Sequence, residues 1–207
     1  MSKMLGDKLT DYGLEEDPIK VFNNWYFDAL KIEENADAMT LSTYDEIKKR
    51  PTSRTLLYKG IVENSKIVFY TNYLSEKGMQ LAKNPEVAIV FYWNKSLKQV
   101  RIHGRVEKMD HFDSVKYFHS RDRASQLASY ISHQSSEIGS KDELLDKLKR
   151  AEIEFLDKII PMPLHWGGYK VVPYEFEFFL YGKYRLNDRF LFVQNEQGKF
   201  EIKRLQP

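Results

Sequence analysis

Residues 100 to 107 alternate without a break: Val100, Ile102, Gly104 and Val106 fall on one side, and Arg101, His103, Arg105 and Glu107 on the other. A period of two with one polar side is the mark of a half-buried β-strand. This strand has companions at short spacing. Strand-like runs at Ala38–Thr43, Arg54–Lys59, Lys66–Thr71 and Val87–Trp93 precede Val100–Met109, and Tyr169–Val172, Glu175–Leu180, Arg189–Gln194 and Phe200–Leu205 close the chain. Gaps of hairpin length, without regular crossover helices, disfavour a doubly wound parallel sheet. They predict a mainly β protein whose antiparallel sheet curls into a barrel with helices packed outside. Residues 1–207 read as a single domain, with 1–16 as an N-terminal segment.

Helices interrupt the strands at recognisable caps. Asp17-Pro18 supplies an N-cap acceptor and a proline at the first helical position, and Val21, Phe22, Trp25, Ala29 and Leu30 follow as one apolar stripe. A short helix over Ser75–Lys83 stops at Asn84-Pro85. Asp110 caps a helix running to His119, a second covers Ser125–Ile131, and the capping box Ser140-Lys141-Asp142-Glu143 opens a third over Lys141–Leu156. Gly167-Gly168 reads as a tight turn.

Much chemistry is missing. There is no cysteine, which excludes disulfides, thiolate metal sites and a cysteine nucleophile. Neither glycine-rich phosphate cradle occurs, nor a Gly-x-Ser-x-Gly elbow, and the five histidines form no metal-ligand pair on a helix. With 32 basic against 30 acidic residues, the chain lacks the basic surplus of a nucleic-acid binder. Met1–Lys8 holds no apolar signal core, and no run approaches membrane-spanning length, so a soluble, cytoplasmic protein is expected. An enzyme of this composition needs a bound cofactor for its chemistry. The high aromatic content, 14%, suits a stacked flat ligand, though a β-rich core explains it as simply.

Cations and hydroxyls gather where a phosphate is readily held. Arg54 and Lys59 flank one strand, and Ser75-Glu76-Lys77 opens a helix beside the strand end Tyr70-Thr71-Asn72. A helix start offers free N–H groups and a partial positive charge. Tyr117 to Gln126 packs Arg121, Arg123, Ser120 and Ser125 around a helix break, and Arg185-Leu186-Asn187-Asp188-Arg189 lies between strands. Seven basic residues in four such contexts suit two phosphates, although each cluster alone reads equally as solvated surface.

In these stretches the chain resembles the pyridoxine (pyridoxamine) 5′-phosphate oxidase family. The likeness runs from about Asp17 to the C-terminus. It is carried by Arg54-x4-Lys59, Phe69-Tyr70-Thr71-Asn72, Phe91-Tyr92-Trp93 with Gln99-Val100, Tyr117-Phe118-His119-Ser120-Arg121, Gln134-Ser135, Trp166-Gly167-Gly168-Tyr169, Asp188-Arg189-Phe190 and Arg204-Leu205-Gln206-Pro207. The resemblance implies an FMN-binding split β-barrel, working as a homodimer with FMN at the interface. It implies that Arg54, Thr55, Leu56, Leu57, Lys59, Tyr70, Thr71, Lys77, Gln99, Gln134, Ser135, Phe179 and Arg189 contact FMN, with Gln99 and Gln134-Ser135 reaching across between subunits. Lys59, Tyr117, Arg121 and Ser125 would hold the phosphate of a pyridine substrate, and Arg185 and Asn187 would lie at the reacting carbon. The implied reaction is oxidation of pyridoxamine or pyridoxine 5′-phosphate by O2 to pyridoxal 5′-phosphate, with H2O2 released.

Three positions depart from the family pattern. Asn187 stands where a histidine is common, Glu76 where some members have arginine, and Phe179 where a tryptophan is usual. Glu76 is expected to turn to solvent, since a carboxylate repels a phosphate dianion. No substrate-covering residues are matched over Gly6–Leu14. A related flavoprotein acting on another substrate, or a non-catalytic binder of FMN or pyridoxal phosphate, are the alternative readings.

Overall fold

The computed structural model describes residues 9–207; the Met1–Lys8 stretch read above lies outside the described residues. A 3-10 turn (Leu9–Tyr12) leads into α1 (Pro18–Ala29). Asp17 caps this helix by accepting from the Ile19 N–H at 2.9 Å. Next come β1 (Ala38–Asp45), β2 (Arg50–Leu57), β3 (Ile61–Val62) and β4 (Lys66–Asn72), then α2 (Glu76–Lys83), β5 (Glu86–Trp93) and β6 (Lys98–Lys108). Three helices follow, α3 (His111–Ser120), α4 (Arg123–Ile131) and α5 (Lys141–Glu154), before β7 (Trp166–Leu180), β8 (Asp188–Gln194) and β9 (Phe200–Leu205).

All strand pairs are antiparallel, in the order β2-β1-β5-β6-β7-β4-β3, with β8 and β9 branching from β7. The chain leaving β2 closes the barrel: the Lys59 N–H donates to the Val68 carbonyl at 2.9 Å, and the Val68 N–H donates to that of Gly60 at 3.0 Å. The predicted strand Arg54–Lys59 is therefore shifted. It starts at Arg50 and ends at Leu57, and Lys59 belongs to the closing turn.

Two predicted strands, Tyr169–Val172 and Glu175–Leu180, are one continuous strand. Pro173 suggests a break because it cannot donate to a ladder. It is tolerated here because β7 changes neighbours at that point. Residues 166–171 pair with β4, residues 175–180 pair with β8, and a bulge opposite His103/Gly104 absorbs the handover. Gly167-Gly168 lies inside this strand and is not a turn. A side chain on Gly167 would run into the Tyr73 hydroxyl, which donates to the Gly168 carbonyl at 3.0 Å.

Inside the barrel Phe22, Phe69, Phe91, Trp93, Phe176, Phe178, Phe190 and Phe192 are fully buried. Each such ring contributes about 1.5–3 kcal/mol. Burial in the core thus explains about half of the aromatic content. The stripe of α1 packs into this core, whereas α3, α4 and α5 form a second cluster around Phe118, Leu127, Phe155 and Trp166. That second cluster sits against the start of β7 and sets the walls of the site. No helix among the described residues is long and apolar enough to cross a membrane.

Candidate active site

A cleft of about 580 Å³ opens between β2, the start of α2 and the loop after α4. It gathers Arg54, Thr55, Leu56, Lys77, Gln134 and Ser135, six of the expected cofactor residues. Arg54 is braced from three elements. Its guanidinium donates to the Leu41 carbonyl (3.4 Å), the Thr43 hydroxyl (2.6 Å), the Thr52 hydroxyl (2.8 Å) and Gln80 Oε1 (3.3 Å). Every one of these acceptors is neutral, so the charge is positioned without being cancelled. No motif in the sequence marks the brace residues Thr43, Thr52 and Gln80. Thr52 sits two residues before Arg54 on the same strand face, which is the one trace they leave in the sequence.

Lys77 is only 5% exposed. Its ammonium donates to the Thr71 and Ser75 hydroxyls, both at 3.2 Å. Ser75 also caps α2 by accepting from the Gly78 N–H at 3.3 Å. Burial, and then the positive charge of Arg54, pull the Lys77 ammonium down to about 8, with Glu76 opposing. Glu76, expected to turn to solvent, pairs with Lys48 at 3.4 Å and borders the cleft. Gln134 accepts from the Thr71 hydroxyl at 3.3 Å, and Asn72 Nδ2 pins the loop through the Ser132 carbonyl at 3.2 Å. Gln134 and Ser135 therefore line the cleft of their own chain.

Among the described residues, neither Arg54 nor Lys77 has a carboxylate within ion-pair distance. Two confined cations beside a helix start, held only by neutral groups, fit a phosphate monoester. A pH dependence follows. Above about pH 8 the free Lys77 has lost its proton, and an anion must bring one back on binding. FMN affinity should be level from about pH 6.5, where the phosphate is already mostly dianionic, and fall as pH rises through about 8. Fluorescence titration of FMN across this range checks it, and Lys77→Met should abolish the fall.

A second group lies on the α3–α4 side. The Tyr70 ring stacks on Tyr117 with centroids 3.7 Å apart, Trp166 stacks on Tyr70 at 5.4 Å, and the Arg121 guanidinium lies over Trp166 at 4.9 Å. Arg121 donates to the Ser129 hydroxyl at 2.9 Å and has no carboxylate partner among the described residues. Burial pulls its guanidinium below the ordinary value and pushes the Tyr117 hydroxyl up. Ser125 is in the first turn of α4, where its N–H donates to the Asp122 cap at 2.8 Å. Arg123, part of the same sequence cluster, is used elsewhere: it donates to the Phe155 and Lys158 carbonyls and ties down the end of α5. Lys59 does not join the Arg54 cleft. It pairs with Asp37 at 3.3 Å and borders a separate hollow of about 750 Å³.

The third group stands apart. Gln99, Phe179 and Arg189 lie in one row across β6, β7 and β8, none of which pairs with β2. None of them lines the Arg54 cleft. Leu57, at the end of β2, is half exposed and also outside that lining. The β7–β8 connection carries Tyr184 and Arg185 at φ of 58° and 63°. Left-handed backbone at such residues costs about 1–2 kcal/mol each. Asn187 steadies the connection, its Oδ1 accepting from the Gly182 N–H at 3.1 Å. Arg185 is exposed and without a polar partner among the described residues.

A family model described as pyridoxamine 5′-phosphate oxidase matches residues 29–154. Another, described as the pyridoxine 5′-phosphate oxidase C-terminal dimerisation region, matches residues 166–207. The pyridoxine/pyridoxamine 5′-phosphate oxidase of Coxiella burnetii is 40% identical over 94% of this chain and 97% of its own. That of Trichormus variabilis is 37% identical over 100% of both. Among solved structures, PhzG from Burkholderia lata, in complex with tetrahydrophenazine-1-carboxylic acid, shares the fold with a TM-score of 0.87 at 24% identity, covering 99% of this chain and 98% of its own. A pyridoxamine 5′-phosphate oxidase-related, FMN binding protein from Nostoc punctiforme does so with a TM-score of 0.76 at 16% identity, covering 92% and 98%.

Proposed function

Because the chain belongs to the pyridoxamine 5′-phosphate oxidase family, we propose that it binds FMN and oxidises pyridoxamine 5′-phosphate, pyridoxine 5′-phosphate or both to pyridoxal 5′-phosphate. The alcohol and O2 give the aldehyde and H2O2; the amine additionally takes up water and releases ammonia. The observation that carries this reading is the pair of separate anion seats, Arg54 with Lys77 and Arg121 over Trp166, each a cation held by neutral groups. A cofactor phosphate suits the first and a substrate phosphate the second.

FMN, when bound, supplies two-electron chemistry: it accepts electrons from a carbon–hydrogen bond and passes them to O2. The chain's own contribution is placement. Arg54, Lys77, Thr71, Gln134 and Ser135 hold the cofactor end, and Tyr117, Arg121 and Ser125 fix the substrate phosphate. Fixing both ends leaves the reacting carbon little freedom, which is where orientation lowers a barrier. Tyr70, stacked on Tyr117 and next in the chain to Thr71, links the two seats, while Lys59, paired with Asp37, stands outside the Arg54 cleft.

Gln99, Phe179, Arg189, Arg185 and Asn187 belong, in this reading, to the site of a second copy. They lie on β6, β7, β8 and the β7–β8 connection, mostly within the stretch matched by the dimerisation model, and none lines the cleft of its own chain. A homodimer with two shared sites reconciles these positions. The exposed Arg185 then reaches the partner's substrate.

The test is purified protein with FMN and pyridoxamine 5′-phosphate under air, followed by pyridoxal phosphate absorbance and peroxide. Product without peroxide, or neither one, defeats the proposal. Arg185→Ala should lower kcat by about 100-fold or more, as loss of a charge-stabilising donor does, with FMN stoichiometry unchanged. Equal losses of FMN and turnover would remove Arg185 from the reacting centre.

A further inference from the structure

Glu177 has no part in the reading so far, yet its carboxylate is one of the most enclosed charges in the protein. The residue is 3% exposed, in the middle of β7, between two arginines from the neighbouring strands. Arg101 Nη2 lies 3.1 Å from Oε2, and Arg189 Nε lies 2.9 Å from Oε1. The register explains the meeting, since Arg101 is directly opposite Glu177 on β6 and Arg189 is its diagonal neighbour on β8. An enclosed ion group of this kind seldom stabilises a fold better than apolar residues of the same volume. Two arginines sharing one acid also leave a net positive charge.

The three contacts of Arg189 define its orientation. Its Nε is held by Glu177, its Nη1 donates to the Gln206 carbonyl at 3.1 Å, and its Cζ lies 5.9 Å from the Phe179 ring centre. The remaining N–H groups have no partner among the described residues. Phe179 and Gln99 stand in the same row.

We propose that Glu177 is a positioning residue for the cofactor: it fixes Arg189, with Arg101 as its second anchor, so that the free guanidinium edge is presented beside Phe179 to bound FMN. This rests on the reading that the chain binds FMN. Glu177 touches no ligand itself and acts through Arg189. Substituting it changes cofactor binding only while that arginine is present.

A double-mutant cycle on FMN affinity tests this. Glu177→Gln keeps the volume and removes the charge; Arg189→Gln removes the presented group. Glu177→Gln should raise the Kd for FMN about tenfold, the scale of one hydrogen bond to a charged group, and alter the visible absorption of the bound flavin. In the Arg189→Gln background the same change should have no further effect. Size-exclusion mass is read on every variant to show that assembly is retained. Should Glu177→Gln fail to fold, Glu177→Asp, which keeps the charge but shortens its reach, enters the same cycle with a smaller loss expected. Losses that simply add, or an unchanged Kd in the single variant, overturn the inference. A wild-type chain that takes up no FMN overturns the parent reading, and with it this one.

Discussion

Replacing both Arg54 and Lys77 by methionine should weaken FMN binding by about two to four orders of magnitude. Each residue offers the phosphate a charge-assisted hydrogen bond worth about 1.5–3 kcal/mol, and the two together amount to about 3–6 kcal/mol. Neither charge is spent on a carboxylate of the protein, since Arg54 is braced by Leu41, Thr43, Thr52 and Gln80, and Lys77 by Thr71 and Ser75. Isothermal titration of the apo protein measures the change. An opposite effect on stability accompanies it. Lys77 is enclosed, its ammonium is pulled down to about 8, and Arg54 adds repulsion. Lys77→Met alone should therefore raise the melting temperature of the apo protein while lowering FMN affinity. The sign of the pH effect agrees. Because the folded state releases this proton before the unfolded state does, the wild-type apo protein gains stability as pH rises from about 8 toward the ordinary lysine range, and the variant does not. A variant that keeps its FMN affinity would show that the cleft is not a phosphate seat.

Gly104→Val should destabilise the protein by about 3 kcal/mol or more, lowering Tm by roughly 6–12 °C. A Cβ at position 104 would lie 2.6 Å from the Val172 carbonyl oxygen, 2.7 Å from Val171 Cγ1 and 3.1 Å from Pro173 Cα. Two of these three are backbone atoms at the place where β7 changes from β4 to β8, so the usual relief of a rotating side chain is not open. Loss of the handover would also loosen the β7–β8 arm that carries Phe179, Arg185 and Arg189. Gly139→Ala is the control. Its nearest neighbour is the far end of the Glu143 side chain at 3.4 Å, and a change within about 0.5 kcal/mol is expected. Thermal melts of the two variants side by side make the comparison.

Strand positions were largely legible because alternation is local. Val100, Ile102, Gly104 and Val106 face inward and their neighbours outward, as the spacing says. The misreadings share a cause, which is contact between distant segments. Pro173 looks like a break until the register shows a missing neighbour there, and Gly167-Gly168 looks like a turn until Tyr73 is found lying over it. The site divides the same way. Arg54 and Lys77 carry signals in their own strand and helix cap, which makes them legible. Thr43 and Gln80 brace Arg54 from β1 and α2, and nothing local announces that meeting. Arg123 shows the reverse: an arginine beside the substrate cluster by sequence is committed to the carbonyls at the end of α5. Glu177 reads as an ordinary strand carboxylate until Arg101 and Arg189 are seen to enclose it.

In the proposed dimer one cofactor seat is built from two chains, with Arg54 and Lys77 from one and Arg189 from the other. Mixed dimers decide it. An Arg54→Met/Lys77→Met chain and an Arg189→Gln chain, each impaired alone, are co-expressed with different tags, and the mixed species is isolated by tandem purification. A shared site predicts one fully intact seat and one doubly damaged seat per mixed dimer, hence one FMN bound with wild-type affinity. A site contained within each chain leaves both seats damaged, and a mixed dimer that binds FMN no better than either parent would contradict the account.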